Sequence, residues 1–106
     1  MALTNIFGSQ DINKGLEEYR TVPGAYLVDV RTPREYLDGH IPESHNVPLN
    51  ELDEIQFLTD NKEASVYVYC LSGARSTQAA GILKALGYNN VKNIGGISAY
   101  SGKVVR

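Results

Sequence analysis

The residues best able to do chemistry lie in one short segment, CLSGARS at positions 70–76. Cys70 is the only cysteine of the chain, and it ends the apolar run VYVYC. A thiol becomes a nucleophile when its thiolate is stabilised, whereas a buried thiol without such support behaves as a small apolar side chain. The residues after Cys70 therefore decide between a structural cysteine and a reactive one.

The order of strand, cysteine, short loop and helix favours a reactive thiolate. In that order the N–H groups of the loop and the dipole of the helix both point at the sulfur and stabilise an anion. Gly73 permits a positive φ in a tight loop, and Ser76 can cap the helix while it donates its hydroxyl inward. Arg75 supplies a planar charge for an oxyanion or an anionic sulfur species. We expect the pKa of Cys70 to lie below the ordinary value of ~8.5. The predicted substrate-binding cradle around Cys70 consists of Leu71, Ser72, Gly73, Ala74, Arg75 and Ser76.

The elements that must position this loop alternate along the chain. Ser9 and Thr32 are candidate N-caps, and Gly39 and Gly87 are candidate helix stops. After Thr32, Pro33 at the first helical position and Glu35 at the third predict a capping box. Alternating strands and helices of these lengths indicate βαβ units, and so an α/β fold with a parallel sheet covered on both faces. Ligands of such sheets bind beyond the carboxyl ends of the strands, which is where Cys70 is expected. The predicted helices are 10–20, 33–38, 50–58, 74–86 and a short one at 96–101, and the predicted strands are 25–30, 46–47, 66–70 and 91–94.

The spacing of apolar residues predicts which sides of these elements are buried. Tyr67 and Tyr69 should lie on one face of the sheet and Val66 and Val68 on the other. The residues of the helices expected to point inward are Leu52, Ile55 and Leu58 in the third helix and Ala79, Ile82, Leu83 and Leu86 in the fourth.

Composition and charge exclude several classes of function. With 106 residues, 42% hydrophobic and 21% charged, the chain is predicted to form a single domain over 1–106. A net charge of −2 with scattered basic residues gives no footprint for nucleic acid or for an anionic membrane surface. One cysteine and two histidines do not make the usual structural zinc site, so no metal or other cofactor is expected. Without a signal-peptide pattern or a run of ~20 apolar residues, a cytoplasmic location is expected.

Three segments, taken in order, resemble the rhodanese family of sulfurtransferases. CLSGARS at 70–76 resembles its Cys-x-x-Gly-x-Arg-Ser active-site loop. LVDVRTPREYLDGHIPESHNVPL at 27–49 is similar to its Asp-Val-Arg, Glu-Tyr, Gly-His-Ile-Pro and Asn-x-Pro-Leu pattern, and NIGGISAY at 93–100 is similar to its closing segment. The resemblance implies a parallel five-stranded sheet with helices on both faces. It also implies that Cys70 takes the outer sulfur of a donor such as thiosulfate as a persulfide and passes it to cyanide in assays, or to a thiol or protein thiol in cells.

Other functions of this fold stay open at the level of sequence. Related phosphatases place five residues between cysteine and arginine to surround phosphate, whereas this loop has the four residues LSGA. Related arsenate reductases use further cysteines, which this chain lacks. A binding or regulatory module that does not turn over is the remaining alternative. Because Leu71 and Ser72 are neutral where many relatives carry a basic residue, we expect thiosulfate to bind weakly.

Several residues outside the loop are candidates for supporting roles. Asp29 could accept hydrogen bonds from the backbone of the loop or from Arg75, or could cap the helix that follows it. Arg31 could steer anionic donors at the mouth of the site, or could pair with Glu35 four positions later. A structural hydrogen bond is expected of His40 rather than a role as a base. The pair Gly95-Gly96 is predicted to form a turn.

Overall fold

The computed structural model describes residues 11–106, in which four parallel strands form one sheet. The strands are β1 (Tyr26–Asp29), β2 (His45–Asn46), β3 (Ser65–Cys70) and β4 (Asn90–Gly96), in the order β2-β1-β3-β4. The α/β class and the parallel sheet are confirmed. The count of five strands that the resemblance implied is wrong for this part of the chain, because residues 11–106 contribute four.

The described residues also form three α-helices, α1 (Ile12–Thr21), α2 (Pro33–Asp38) and α3 (Ala74–Ala85), and two 3₁₀ segments, Leu49–Phe57 and Ile97–Ala99. The N-cap of α1 is Asp11, whose carboxylate accepts a hydrogen bond from the N–H of Asn13 at 3.0 Å. The predicted cap Ser9 lies outside the described residues. The segment predicted as a regular helix at 50–58 is instead 3₁₀, with a kink at Glu51. None of the helices in residues 11–106 is long and apolar enough to cross a membrane.

Helix α2 begins with the capping box that its sequence predicts. The Thr32 hydroxyl accepts from the N–H of Glu35 at 3.2 Å, and the Glu35 carboxylate accepts from the N–H of Thr32 at 3.0 Å. Pro33 occupies the first turn, where its missing N–H costs nothing, and the helix ends at Gly39. The carboxylate of Glu35 is thereby held close to the carboxyl end of β1.

The core has two layers, one on each face of the sheet, and the side chains of β3 alternate between them as predicted. Val66, Val68 and Cys70 face the layer covered by α3 and the first 3₁₀ segment. Tyr67 and Tyr69 face the layer covered by α1. Leu52 and Ile55 are buried as predicted, whereas Leu58 is only partly buried.

The inward face of α3 differs in part from the prediction. Ala79 and Leu83 are buried, but the predicted Ile82 and Leu86 are 42% and 41% exposed, and Ala80 takes an inward position instead. Two neighbouring alanines allow the helix axis to lie close to the strands, because they present little side-chain volume between backbone and sheet. The middle of α3 thus packs on the face of the sheet that carries Val66, Val68 and Cys70.

Candidate active site

Cys70 is the last residue of β3, and its side chain is almost completely buried, with 1% of the residue exposed. The chain turns directly after it, and the N–H of Gly73 donates to Sγ at 3.0 Å. Gly73 has a φ of +107°, a conformation that residues with a Cβ rarely adopt. Glycine at this position therefore allows the backbone to fold back and direct its N–H at the sulfur.

Ser76 provides a second contact to the sulfur, with Oγ lying 3.4 Å from Sγ. The same hydroxyl donates to the Gly73 carbonyl at 3.1 Å and lies 3.4 Å from the Gly95 carbonyl. Ser76 is the third residue of α3, and the N-cap position is Gly73 without a side-chain cap. The predicted capping role of Ser76 is therefore wrong, because its hydroxyl bonds back to a carbonyl and to the sulfur instead of to the first N–H groups of the helix.

The single hydroxyl proton of Ser76 can serve both protonation states of Cys70. When Cys70 is a thiol, its S–H donates to Oγ and the Ser76 hydroxyl donates to Gly73. When Cys70 is a thiolate, the hydroxyl proton must turn toward the sulfur. The Gly73 carbonyl still accepts from the N–H of Thr77 at 3.1 Å and from its hydroxyl at 2.8 Å. The rotation thus leaves the Gly73 carbonyl with two donors, which keeps its cost low.

These donors shift the acidity of Cys70 in the direction expected for a nucleophile. Burial raises the pKa of the thiol, but the Ser76 hydroxyl and the N–H groups of Ser76, Gly73 and Ser72 lower it by more. The pKa of Cys70 therefore lies below its ordinary value. Such a thiolate is more abundant at neutral pH than that of an unsupported cysteine.

The end of β4 and the residues just after it pack against the loop that follows Cys70, a contact that the sequence analysis missed. The N–H of Ser98 donates to the Leu71 carbonyl at 3.0 Å. A Cβ added at Gly96 would overlap that carbonyl oxygen and lie 2.6 Å from Cα of Ser72. Gly95 and Gly96 therefore do not form a simple turn: they pair with Tyr69 and Cys70 as the end of a strand. Two consecutive glycines after an apolar strand are the signal that could have indicated this close approach.

Arg75 points to α2 and makes a two-point ion pair with Glu35. Its two terminal nitrogens lie 2.7 Å from Oε1 and 2.9 Å from Oε2 of that carboxylate. These hydrogen bonds lower the pKa of Glu35 to about 2, so the carboxylate is ionised at any neutral or mildly acidic pH. The pKa of Arg75 is raised, first by Glu35 and to a smaller extent by the negative charge of Cys70. Both terminal nitrogens of Arg75 are therefore occupied by a carboxylate.

Asp29 and Arg31 pair with each other instead of with the groups predicted for them. The backbone N–H and Nε of Arg31 donate to Oδ1 of Asp29 at 2.9 and 3.0 Å, and Nη2 lies 2.7 Å from Oδ2. Nη2 also donates to the Gly39 carbonyl at 2.7 Å. The predicted pairs Asp29 with Arg75 and Arg31 with Glu35 are wrong, because Asp29 is fully buried and needs a compensating cation, which the nearly buried Arg31 supplies. The pair ties the end of β1 to the end of α2.

The histidines take structural and surface positions. Nδ1 of His40 lies 2.8 Å from the Tyr36 carbonyl, and the two rings stack with centroids 3.6 Å apart. This matches the structural hydrogen bond expected of His40. His45 is exposed at the edge strand β2. Within residues 11–106, no group of three or more His, Cys, Asp or Glu side chains is arranged to hold a metal ion.

Comparison with known proteins gives a consistent result over most of the chain. A family model described as "Rhodanese-like domain" matches residues 9–103. The thiosulfate sulfurtransferase PspE of Escherichia coli is 41% identical over 73 residues, which cover 68% of this chain and 70% of PspE. A solved structure described as a rhodanese with anions from E. coli superposes with a TM-score of 0.72 at 35% identity, covering 77% of this chain and 98% of that one.

Some relatives are much longer than this chain. The adenylyltransferase and sulfurtransferase uba4 of Ogataea parapolymorpha is 38% identical over 96 residues, which are 90% of this chain and only 25% of that protein.

Proposed function

The chain belongs to the rhodanese-like domain family, and we propose that it is a sulfurtransferase that carries sulfane sulfur as a persulfide on Cys70. The observation that carries the proposal is the environment of the sulfur: the buried Sγ of Cys70 accepts a hydrogen bond from the Gly73 N–H at 3.0 Å and lies 3.4 Å from the Ser76 hydroxyl oxygen. The relative PspE is described as a thiosulfate sulfurtransferase, which supports the same chemistry.

In the first half-reaction the Cys70 thiolate attacks the outer sulfur of the donor. A new sulfur–sulfur bond forms to Cys70 while the bond between the outer sulfur and the rest of the donor breaks. The electron pair of the broken bond leaves with sulfite if the donor is thiosulfate, or with a thiolate if the donor is an organic persulfide. Because both the attacking and the leaving species are anions, no general base is needed once Cys70 is ionised.

The persulfide that results is again an anion, and its terminal sulfur extends from the buried Cys70 toward the loop. The N–H groups of Ser72, Gly73 and Ser76 already stabilise negative charge on Cys70, beside the N-terminus of the twelve-residue helix α3, where negative charge is favoured. Leu71 and Ser72 are exposed at the rim of the loop, so an acceptor can approach from solvent.

In the second half-reaction a thiophile attacks the terminal sulfur and Cys70 leaves as a thiolate. The acceptor is cyanide in an assay and a small-molecule or protein thiol in a cell. The same hydrogen bonds that lower the pKa of Cys70 make it a good leaving group, because they stabilise the thiolate that departs. A cytoplasmic location for this reaction stays a prediction.

Intact-protein mass spectrometry tests the proposal directly. The protein is exposed briefly to thiosulfate and then chased with cyanide or a dithiol, beside a Cys70→Ser variant. We expect a gain of one sulfur atom that requires Cys70 and disappears on the chase. If the wild-type protein gains no sulfur from thiosulfate, mercaptopyruvate or glutathione persulfide, the proposal is wrong and a non-catalytic docking module becomes the better account. Release of phosphate from an aryl phosphate that depends on Cys70 would indicate a phosphatase instead.

A further inference from the structure

The two arginines nearest the carboxyl ends of β1 and β3 are both neutralised by a carboxylate. Arg31 is buried in its pair with Asp29. Arg75, the only charged residue of the 70–76 loop, forms its two-point pair with Glu35 at 2.7 and 2.9 Å. A guanidinium held in this way has little net charge to offer an incoming anion. Arg34 is exposed and lies one position before Glu35 on α2. Because successive positions of a helix do not face each other, the side chains of Arg34 and Glu35 point in different directions.

The ion pair between Arg75 and Glu35 is held in place by further hydrogen bonds to the carboxylate. Oε1 of Glu35, one of the two carboxylate oxygens that bind Arg75, also accepts hydrogen bonds from the N–H and the hydroxyl of Thr32, at 3.0 and 3.1 Å. Moving Glu35 away from Arg75 would therefore also break the cap of α2. The carboxylate stays ionised, because its pKa is lowered to about 2, chiefly by Arg75. A competing anion must displace a partner that is already in place.

We propose that Glu35 is a specificity-determining residue that neutralises Arg75 and thereby favours organic persulfides of low net charge over the inorganic dianion thiosulfate. This inference rests on the proposed function and adds the class of donor. With an organic persulfide, the Cys70 thiolate takes the terminal sulfur, the bond to the second sulfur breaks, and its electron pair leaves on an organic thiolate. An organic persulfide of low net charge does not bring two negative charges to the loop. Arg75, which is already paired with Glu35, therefore does not have to bind a dianion.

The two roles of Glu35 can be separated by one substitution. A capping box needs a hydrogen-bond acceptor at the third helical position, and glutamine serves there as well as glutamate. Neutralising Arg75 requires the charge. Glu35→Gln therefore retains the cap of α2 and frees the charge of Arg75. Glu18→Gln is a matched control, because Glu18 pairs with Lys92 on the surface beside Tyr67, away from the 70–76 loop.

The experiment measures the initial rate of persulfide formation on Cys70 by intact mass. The donors are thiosulfate and cysteamine persulfide, whose ammonium group cancels the charge of its sulfur. For Glu35→Gln we expect the rate with thiosulfate to rise roughly fivefold at low salt, the Coulomb effect of removing one repelling charge if its separation from the dianion in a water-like medium is taken as about 8 Å. The rate with cysteamine persulfide should stay within about twofold. Glu18→Gln should match the wild type with both donors.

The salt dependence of the wild-type protein tests the inference without any variant. If Arg75 is neutralised, added salt should leave the wild-type rate with thiosulfate unchanged or raise it, and a strong fall with salt would overturn the inference. Equal changes with both donors in Glu35→Gln would also overturn it, since they would indicate a role in positioning alone. A wild-type protein that loads sulfur from neither donor overturns the proposed function as well, whereas normal loading with an unchanged donor ratio in Glu35→Gln overturns only the role of Glu35.

Discussion

Replacing Ser76 with alanine should raise the pKa of Cys70 by about one unit. A hydrogen bond to a charged group contributes about 1.5–3 kcal/mol, and one pKa unit corresponds to about 1.4 kcal/mol. The low end applies here, because Oγ lies 3.4 Å from Sγ and its proton must leave the Gly73 carbonyl to reach the sulfur. The Gly73 N–H at 3.0 Å remains in the variant and continues to favour the thiolate.

The assay is the rate of alkylation of Cys70 by iodoacetamide, followed over about pH 5 to pH 10. The midpoint of the profile reports the pKa of the thiol, and Cys70 is the only cysteine that can react. Thr77→Ala is the matched control, because the Thr77 hydroxyl also donates to the Gly73 carbonyl, at 2.8 Å, but has no contact with the sulfur. Its midpoint should stay at the wild-type value. If Ser76→Ala titrates like the wild type, or if Thr77→Ala shifts by as much, the hydroxyl does not stabilise the thiolate and the reasoning is refuted.

Two further predictions concern stability, measured by urea unfolding. Gly96→Ala should lower the free energy of unfolding by about 1–3 kcal/mol and slow sulfur loading, since the new Cβ overlaps the Leu71 carbonyl. Gly81→Ala is the control: its Cβ enters open space on α3, so it should raise the free energy of unfolding by up to about 1 kcal/mol. Similar effects of the two substitutions would contradict the packing argument. Because the pKa of Glu35 falls from 4.5 to about 2 on folding, its contribution is complete above pH 4.5 and is lost as the pH falls toward 2. Solvent screening of this partly exposed ion pair reduces the loss in free energy of unfolding to about 1 kcal/mol, and Glu35→Gln should not show this loss. An equal loss of stability at low pH in the variant would show that the pair does not contribute.

The features that the sequence predicted well are those encoded by neighbours along the chain. The capping box of α2 follows from Thr32, Pro33 and Glu35, which lie within four positions of one another. The alternating burial of the β3 side chains follows from the two-residue period of a strand, which places successive residues such as Val66 and Tyr67 on opposite faces of the sheet. In each case the interacting groups are fixed by local backbone geometry, so no knowledge of the tertiary structure is needed.

The 3₁₀ segment was missed although its sequence carries a usable signal. Leu49, Leu52, Ile55 and Leu58 recur at every third position, the period of a 3₁₀-helix, and the central two are buried. Leu52, Ile55 and Leu58 alone also fit the face of the α-helix predicted over 50–58, whose period of 3.6 is close to three over so short a stretch. The face of α3 was wrong for a different reason. A close approach to the sheet selects the small Ala79 and Ala80, while hydrophobicity alone favours Ile82 and Leu86.

Partners of charged residues were the least predictable part of the site. The rule for helical neighbours suggested Arg31 with Glu35, but the residue that meets Glu35 lies 40 positions away. Arg31 instead turns back to Asp29, two positions earlier, because a fully buried carboxylate is costly without a cation. Which carboxylate reaches which arginine depends on how α2 is placed beside α3, and that placement is a property of the whole fold.

The acidity of Cys70 depends on residues close to it in the sequence, whereas the charge presented by Arg75 depends on a residue far from it in the sequence. The groups that lower the pKa of Cys70 lie within six positions of it, at Ser72, Gly73 and Ser76, so the loop sequence is enough to predict the direction of that shift. The charge that a donor meets at Arg75 is decided by Glu35, on another helix. Read alone, CLSGARS suggests a free arginine ready for an anion, whereas the folded chain presents an arginine already bound to one. The proposed role of Glu35 therefore predicts that two chains with the same loop can share a nucleophile and still prefer different donors, if the residue that faces the arginine differs.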